Sequence, residues 1–138
     1  MTHFNHPREC THEAAEALTR LAAAGCVLSN QTVLLKGIND NAQTLQTLNK
    51  WLLYNRCRPY RLFHCDYTQG VGHFRVPLSE GLEIIQEMRG HSSGLEIPEY
   101  VIDLPNGLGK VPVAEGQSTG EGLWMFTTWA GEQITIEE

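Results

Sequence analysis

With 138 residues, 41% of them hydrophobic and 19% charged, the chain has the make-up of one soluble domain built on one core. Its formal net charge of -6, without any basic cluster, speaks against a nucleic-acid surface. No apolar run approaches the roughly 20 residues that span a bilayer, and Met1 to Pro7 lack the basic and apolar regions of a secretory signal, so a cytoplasmic protein with no membrane partner is expected. The cysteines Cys10, Cys26, Cys57 and Cys65 form no CxxC or CxxxCxxC group, and reduced thiols are expected, with Cys26 in the core.

Along the chain, residues 2–6 read as the end of a strand stopped by Pro7. Thr11 is placed to cap a helix whose apolar positions are Ala14, Leu18, Leu21 and Ala22, with Gly25 as its stop. Cys26 to Ser29 and Gln31 to Leu35 suit a strand buried on both faces. After a turn at Gly37 and Asn39-Asp40, with Asp40 as cap, Leu45, Leu48, Trp51 and Leu52 give a second helix one apolar face. Pro59 precedes a strand from Tyr60 to Cys65, and a long loop runs from Asp66 to Pro77. Ser79 is expected to cap a third helix carrying Leu82, Ile84, Ile85 and Met88 and closed by Gly90. Tyr100 to Asp103 is a short strand, Pro105 to Gly109 a loop, and Trp124–Trp129 with Ile134–Ile136 a terminal hairpin packed by its two tryptophans.

This alternation predicts an α/β fold with a parallel sheet covered by helices, followed by the hairpin. Such sheets gather chemistry beyond the carboxyl ends of their strands, where His3, His6, Asp66 and Asp103 fall. Asp66 and Asp103, converging on one pocket, would hold a substrate ammonium, or else begin a turn and cap a strand end. Lys110, after Pro105-Asn-Gly-Leu-Gly109, reads either as a solvated lysine after a turn or as an amine presented to an aldehyde cofactor. Gln31 stands out as an amide within an apolar strand, where it must find partners. His3 and His6 point to opposite faces of a strand and are not expected to share a metal. His64 reads as a polar residue at a strand end.

Seven runs, in order and in register, carry a resemblance: Thr2-His-Phe-Asn-His-Pro7, Asn30-Gln-Thr-Val-Leu-Leu-Lys-Gly37, Arg58-Pro-Tyr60, Cys65-Asp66, His73-Phe-Arg75, Arg89-Gly-His91 and Asp103 to Lys110. Together they resemble the lysine 2,3-aminomutase family of radical S-adenosylmethionine enzymes over nearly the whole chain, less clearly after about Gly116. The resemblance implies the C-terminal part of a partial (β/α) TIM-like barrel over residues 1–116, with a β-hairpin extension over 117–138. It implies an isomerase using pyridoxal phosphate, S-adenosylmethionine and a [4Fe-4S] cluster to move the 2-amino group of L-lysine to C3. Position by position, Lys110 matches the pyridoxal-phosphate lysine and Asp66 and Asp103 the pair gripping the substrate's side-chain ammonium. His3 and Gln31 match residues near S-adenosylmethionine.

The cluster cysteines and the arginines for the cofactor phosphate and the substrate carboxylate are expected in a missing N-terminal half, so activity from this chain alone is not. Asn41 stands where some members carry a zinc cysteine, and no cysteine follows Cys65, so no zinc site is expected. Self-association is expected through the face that half would cover, giving a homo-oligomer. Three alternatives remain open: an aminomutase acting on a protein lysyl residue, one acting on another cationic amino acid such as arginine, and a non-catalytic binding domain that kept the fold.

Overall fold

The computed structural model describes residues 1–120 and 122–138. The N-terminal segment runs extended beside the first strand, but as one parallel bridge, Thr2 to Asn30, rather than as a strand over 2–6. Buried asparagines hold it there. Asn30 Oδ1 accepts from Phe4 N at 2.8 Å and from Thr2 Oγ1 at 3.0 Å, while its Nδ2 donates to Phe4 O at 3.0 Å and Thr32 Oγ1 at 2.9 Å. Asn39 Nδ2 donates to Asn5 O and Val33 O, both at 2.8 Å. Amides with every hydrogen bond satisfied are compatible with the full burial of both residues.

Helix α1, His12–Ala23, is capped by Thr11, whose Oγ1 accepts from Ala14 N at 3.2 Å, and Gly25 follows it at φ 84°. Cys26, expected in the core, is exposed in the link to strand β1, Leu28–Val33. That strand alternates buried and half-buried residues; its second face is open rather than covered. Helix α2, Ala42–Tyr54, is capped by Asn41 and not by Asp40: Asn41 Oδ1 accepts from Thr44 N at 2.9 Å, whereas Asp40 accepts from Gly37 N at 2.8 Å within the turn.

Strand β2, Cys57–Phe63, begins ahead of Pro59. The proline is tolerated because pairing with the next strand starts only at Arg61. Between Pro59, which faces Asn30, and Arg61, which faces Gln31, Tyr60 is an extra residue that shifts the register. Helix α3, Leu78–His91, runs past Gly90, and its first turn is capped by neither Pro77 nor Ser79. The Glu138 carboxylate instead accepts from Leu78 N, and from Ser79 N at 3.3 Å.

Strands β3, Glu99–Leu104, and β4, Gly109–Pro112, complete a sheet of order β1-β2-β3-β4. The first two pairings are parallel and the last antiparallel. Strands β1 to β3 follow in sequential parallel order, and α2 and α3 pack together against one face of the sheet. There Leu34, Leu45, Leu62, Ile85, Met88, Tyr100 and Ile102 form the larger core cluster. Leu18, Leu28, Leu48, Leu52 and Cys57 form a second cluster, and α2 contributes to both.

The C-terminal hairpin is a three-stranded antiparallel sheet: β5, Gln117–Gly120, β6, Leu123–Thr127, and β7, Gln133–Glu137. Trp124, Phe126 and Ile136 enter the larger cluster beside Val113 and Leu104, so the two sheets share one core. Trp129, expected to pack there, is 87% exposed on the β6–β7 turn. The molecule is thus mixed α/β with a parallel sheet and a separate antiparallel one. Among the described residues no helix is long and apolar enough to cross a membrane.

Candidate active site

Strand alternation decides which side chains reach the uncovered face of the first sheet. Registered partners share a face, so Gln31 and Val33 on β1, Phe63 on β2, Asp103 on β3 and Lys110 on β4 all lie opposite the helices. A cleft of about 420 Å³ opens there, at the carboxyl ends of the parallel strands. His3, Gln31, Phe63, His64, Asp66 and Asp103 are among its lining residues. A second hollow, of about 380 Å³, continues past Asp66, Thr68 and Asp103 to Pro105 and Gly107. Four of the five residues assigned roles from the resemblance, His3, Gln31, Asp66 and Asp103, therefore meet in one cleft, and the fifth, Lys110, is paired with Asp103.

Lys110 is not on a loop. It lies on β4 directly across from Asp103, with its Nζ 2.5 Å from Asp103 Oδ2. The side chains are 40% and 38% exposed, so water reaches the pair. The Phe63 ring flanks the same amine, its centroid 5.7 Å from Nζ. The reversal between β3 and β4 is made at Asn106 and Gly107, both left-handed at φ 59° and 73°. Asparagine and glycine tolerate that region, and an Asn-Gly pair between apolar runs is a hairpin signal that would have revealed the strand.

Asp66 is exposed at the start of the loop beyond β2. Arg75 fixes that loop: it donates through Nη2 to Asp66 O at 3.1 Å and stacks over the Tyr67 ring at 4.1 Å. Lys36 N donates to Phe74 O at 2.8 Å, tying the far end of the loop to the segment after β1. Gln31 is only half-buried; the buried amides among the described residues are Asn30, Asn39 and Asn49. His3, exposed, reaches the cleft because Asn30 Oδ1 holds both its neighbours, accepting from the Thr2 hydroxyl and from the Phe4 backbone N–H.

His64 is more than a polar strand end. It is 1% exposed, with Nδ1 3.0 Å from Tyr100 Oη. Burial, with Arg75 adding repulsion, pushes its pKa down to about 4, so the ring is neutral near pH 7. Burial likewise raises the Tyr100 phenol and the Cys65 thiol, neither of which ionises readily. Paired carboxylates beside an exposed amine, in a cleft with one apolar wall, can bind an ammonium group and present a primary amine to a carbonyl.

The family model described as Lysine-2,3-aminomutase matches residues 85–117, the stretch holding the second half of α3, all of β3 and β4, and both Asp103 and Lys110. A protein of Fusobacterium nucleatum named L-lysine 2,3-aminomutase is 52% identical over 112 residues, 81% of this chain and 26% of that protein. The chain corresponds to the C-terminal part of the lysine 2,3-aminomutase family. A putative L-lysine 2,3-aminomutase of Aquifex aeolicus is 45% identical, covering 99% of this chain and 37% of its own length. A Glutamate 2,3-aminomutase of Clostridioides difficile is 42% identical over 99% of this chain and 33% of its own length. The chain thus spans about a quarter to a third of the curated aminomutases it matches. Their names share the word aminomutase and differ in the amino acid, lysine in two and glutamate in one.

Proposed function

We propose that this chain forms the substrate-ammonium and cofactor-lysine wall of an isomerase that moves the 2-amino group of L-lysine to C3. The observation that carries the reading is Asp66 and Asp103 lining one cleft with Lys110 across from Asp103. Two carboxylates in so small a space favour a cationic side chain; the carboxylate of glutamate would meet like charge from both. That argues for lysine over the glutamate named for one relative.

Pyridoxal phosphate would supply a carrier for the migrating nitrogen, and S-adenosylmethionine with a reduced cluster would supply the hydrogen-abstracting radical. The residues here fit the first in part. Lys110 offers an accessible amine beside a flat apolar ring, Phe63, while the described residues lining the cleft include no arginine or lysine for a phosphate. We assign His3 and Gln31 to the methionine end of S-adenosylmethionine; both line the same cleft as the two carboxylates. Among the described residues no group of three or more His, Cys, Asp or Glu could hold a metal, so this chain's residues do not fit the cluster. The chain's own work is binding and orientation: it grips the far ammonium, holds the loop of Asp66 through Arg75, and keeps His64 neutral.

The test is direct. The chain is incubated with pyridoxal phosphate, reduced with borohydride, and mapped by mass spectrometry. The label is expected on Lys110 and lost in Lys110→Ala; a label that ignores Lys110 would falsify the assignment. For substrate, a full-length enzyme containing this sequence is expected to convert L-lysine and to lose about 100-fold in kcat/KM with Asp103→Asn, on the scale of a severed charge-assisted contact. Preferential conversion of L-glutamate would reverse the substrate choice.

A further inference from the structure

We propose that this chain associates head to tail with a second copy of itself, the Trp129 indole of one copy seating in an arginine-lined hollow of the next. Trp129 is almost fully exposed, an unusual place for so large an apolar ring. The turn that carries it is nonetheless closed by hydrogen bonds. Thr128 N donates to Glu132 O at 2.8 Å, Gly131 N to Thr128 O at 2.9 Å, and Glu132 N to Thr128 Oγ1 at 3.1 Å. One edge of the indole rests on Gly109, where a Cβ would lie 3.4 Å from Trp129 Cδ1. The remainder of the ring is a preorganised apolar knob, and seating it costs little further ordering. Glu132, exposed on the same turn and in no ion pair among the described residues, gives the knob a negative flank.

The socket is at the other end of the parallel sheet. A hollow of about 560 Å³ opens at the amino ends of β2 and β3, where Arg58, Tyr60, Arg89, Ile97, Pro98 and Glu99 line it. Arg58-Pro-Tyr60 and Arg89 belong to two sequence runs that the cleft leaves unused. Glu99 is neutralised by Arg61, whose Nε is 3.5 Å from Oε2, while Arg58 and Arg89 are exposed and form no ion pair among the described residues. Two unpaired guanidiniums beside Ile97 and Pro98 suit an aromatic ring with a carboxylate next to it. The segments leading into β1, β2 and β3 add exposed Val27, Tyr54 and Leu95 to this end, apolar surface for a partner to cover. The knob cannot fill its own socket. Gly109 pairs with Leu104 at the carboxyl end of β3, whereas Pro98 and Glu99 lie at the amino end, about 16 Å away along the strand. A knob at one end and a socket at the other make a heterologous contact, which repeats from copy to copy.

The experiment is sedimentation velocity on the chain over a concentration series, with circular dichroism confirming that each variant is folded. Both substitutions fall on exposed side chains. At about 0.5 mM, a concentration suited to a small contact with one aromatic anchor, wild type is expected to show a weight-average mass above that of one chain. The mass is expected to fall back in about 0.5 M salt, which screens the arginines from Glu132. Trp129→Ala and Arg58→Glu are each expected to lower the association constant about ten-fold or more, the loss of a central anchor. Mixed in equal amounts, the two variants are expected to form a complex of twice the chain mass and no larger, since one supplies only the knob and the other only the socket. Wild type that keeps the mass of one chain overturns the proposal, as does association that either variant retains. If each variant alone has lost association and the mixture stays monomeric, the contact is not head to tail, and the proposal falls.

Discussion

His64 is a neutral imidazole packed against Tyr100 and near Tyr67 and Arg75, and its neutrality has a thermodynamic consequence. Its pKa is about 4 in the folded chain against an ordinary 6.5. Above that ordinary value both states are neutral there and the contribution to stability is constant. As pH falls the unfolded chain takes up the proton first, so stability drops from about pH 6.5 and levels off only near pH 4. The expected loss from this one group between about pH 7.5 and about pH 5 is roughly 2 kcal/mol. Urea denaturation at the two pH values should show it, and His64→Gln should remove most of the difference; an unchanged pH dependence in the variant would locate the acid sensitivity elsewhere. The sequence marked this position only as polar, because burial depends on Tyr100 arriving from a strand 36 residues away.

At the level of elements, much was legible because the signals are local. The three helices and the parallel strands follow from apolar spacing, and Thr11 caps α1 as its hydroxyl and position require. What escaped depends on partners distant in sequence. Helix α3 begins one residue before Ser79 because its cap comes from Glu138, at the other end of the chain, whose carboxylate also accepts from Trp124 Nε1 at 3.3 Å. Glu138→Ala should therefore lower stability by about 0.5–2 kcal/mol, the range of a lost helix cap, measurable as a shift in the urea midpoint. An equal effect from Ser79→Ala, with none from Glu138→Ala, would return the cap to the serine. Strand β4 was missed for a different reason: Asn106-Gly107 is itself a local hairpin signal, but the neighbouring glycines and Pro105 made the stretch read as loop. Its recovery changes the chemistry, since Lys110 is fixed by sheet pairing and not presented from a mobile turn.

For the molecule as a whole, the site was legible as residue types and not as a geometry. Asp66, Asp103, Gln31 and His3 meet in one cleft and Lys110 joins them through its pairing with Asp103 on the antiparallel β4, whereas Phe63 at the cleft wall becomes visible only once strand facing is known. The composition suggested one core, and the shared cluster agrees: Phe126, from the C-terminal sheet, is 1% exposed and packs with residues of α3 and the parallel sheet. Phe126→Ala should cost about 3–5 kcal/mol and shift the whole unfolding transition, helical circular dichroism and tryptophan fluorescence together. If the variant lost only the C-terminal sheet while the helical signal kept its wild-type midpoint, the chain would have to be divided near Gly116 after all.

Tyr60, the extra residue at the register shift in β2, bears on how such a chain can vary. Counted by strict alternation from Cys57, Phe63 would turn under the sheet and Leu62 would face the cleft; the shift absorbs one residue and restores the observed facing. Inside from outside is therefore set here by parity and not by chemistry. A chain lacking Tyr60 reaches the same arrangement by plain alternation, so that deletion leaves the cleft wall in place. A chain that kept Tyr60 but flattened the shift would exchange the two faces of the strand's last turns, with its composition unchanged and its cleft lined by the wrong half of β2.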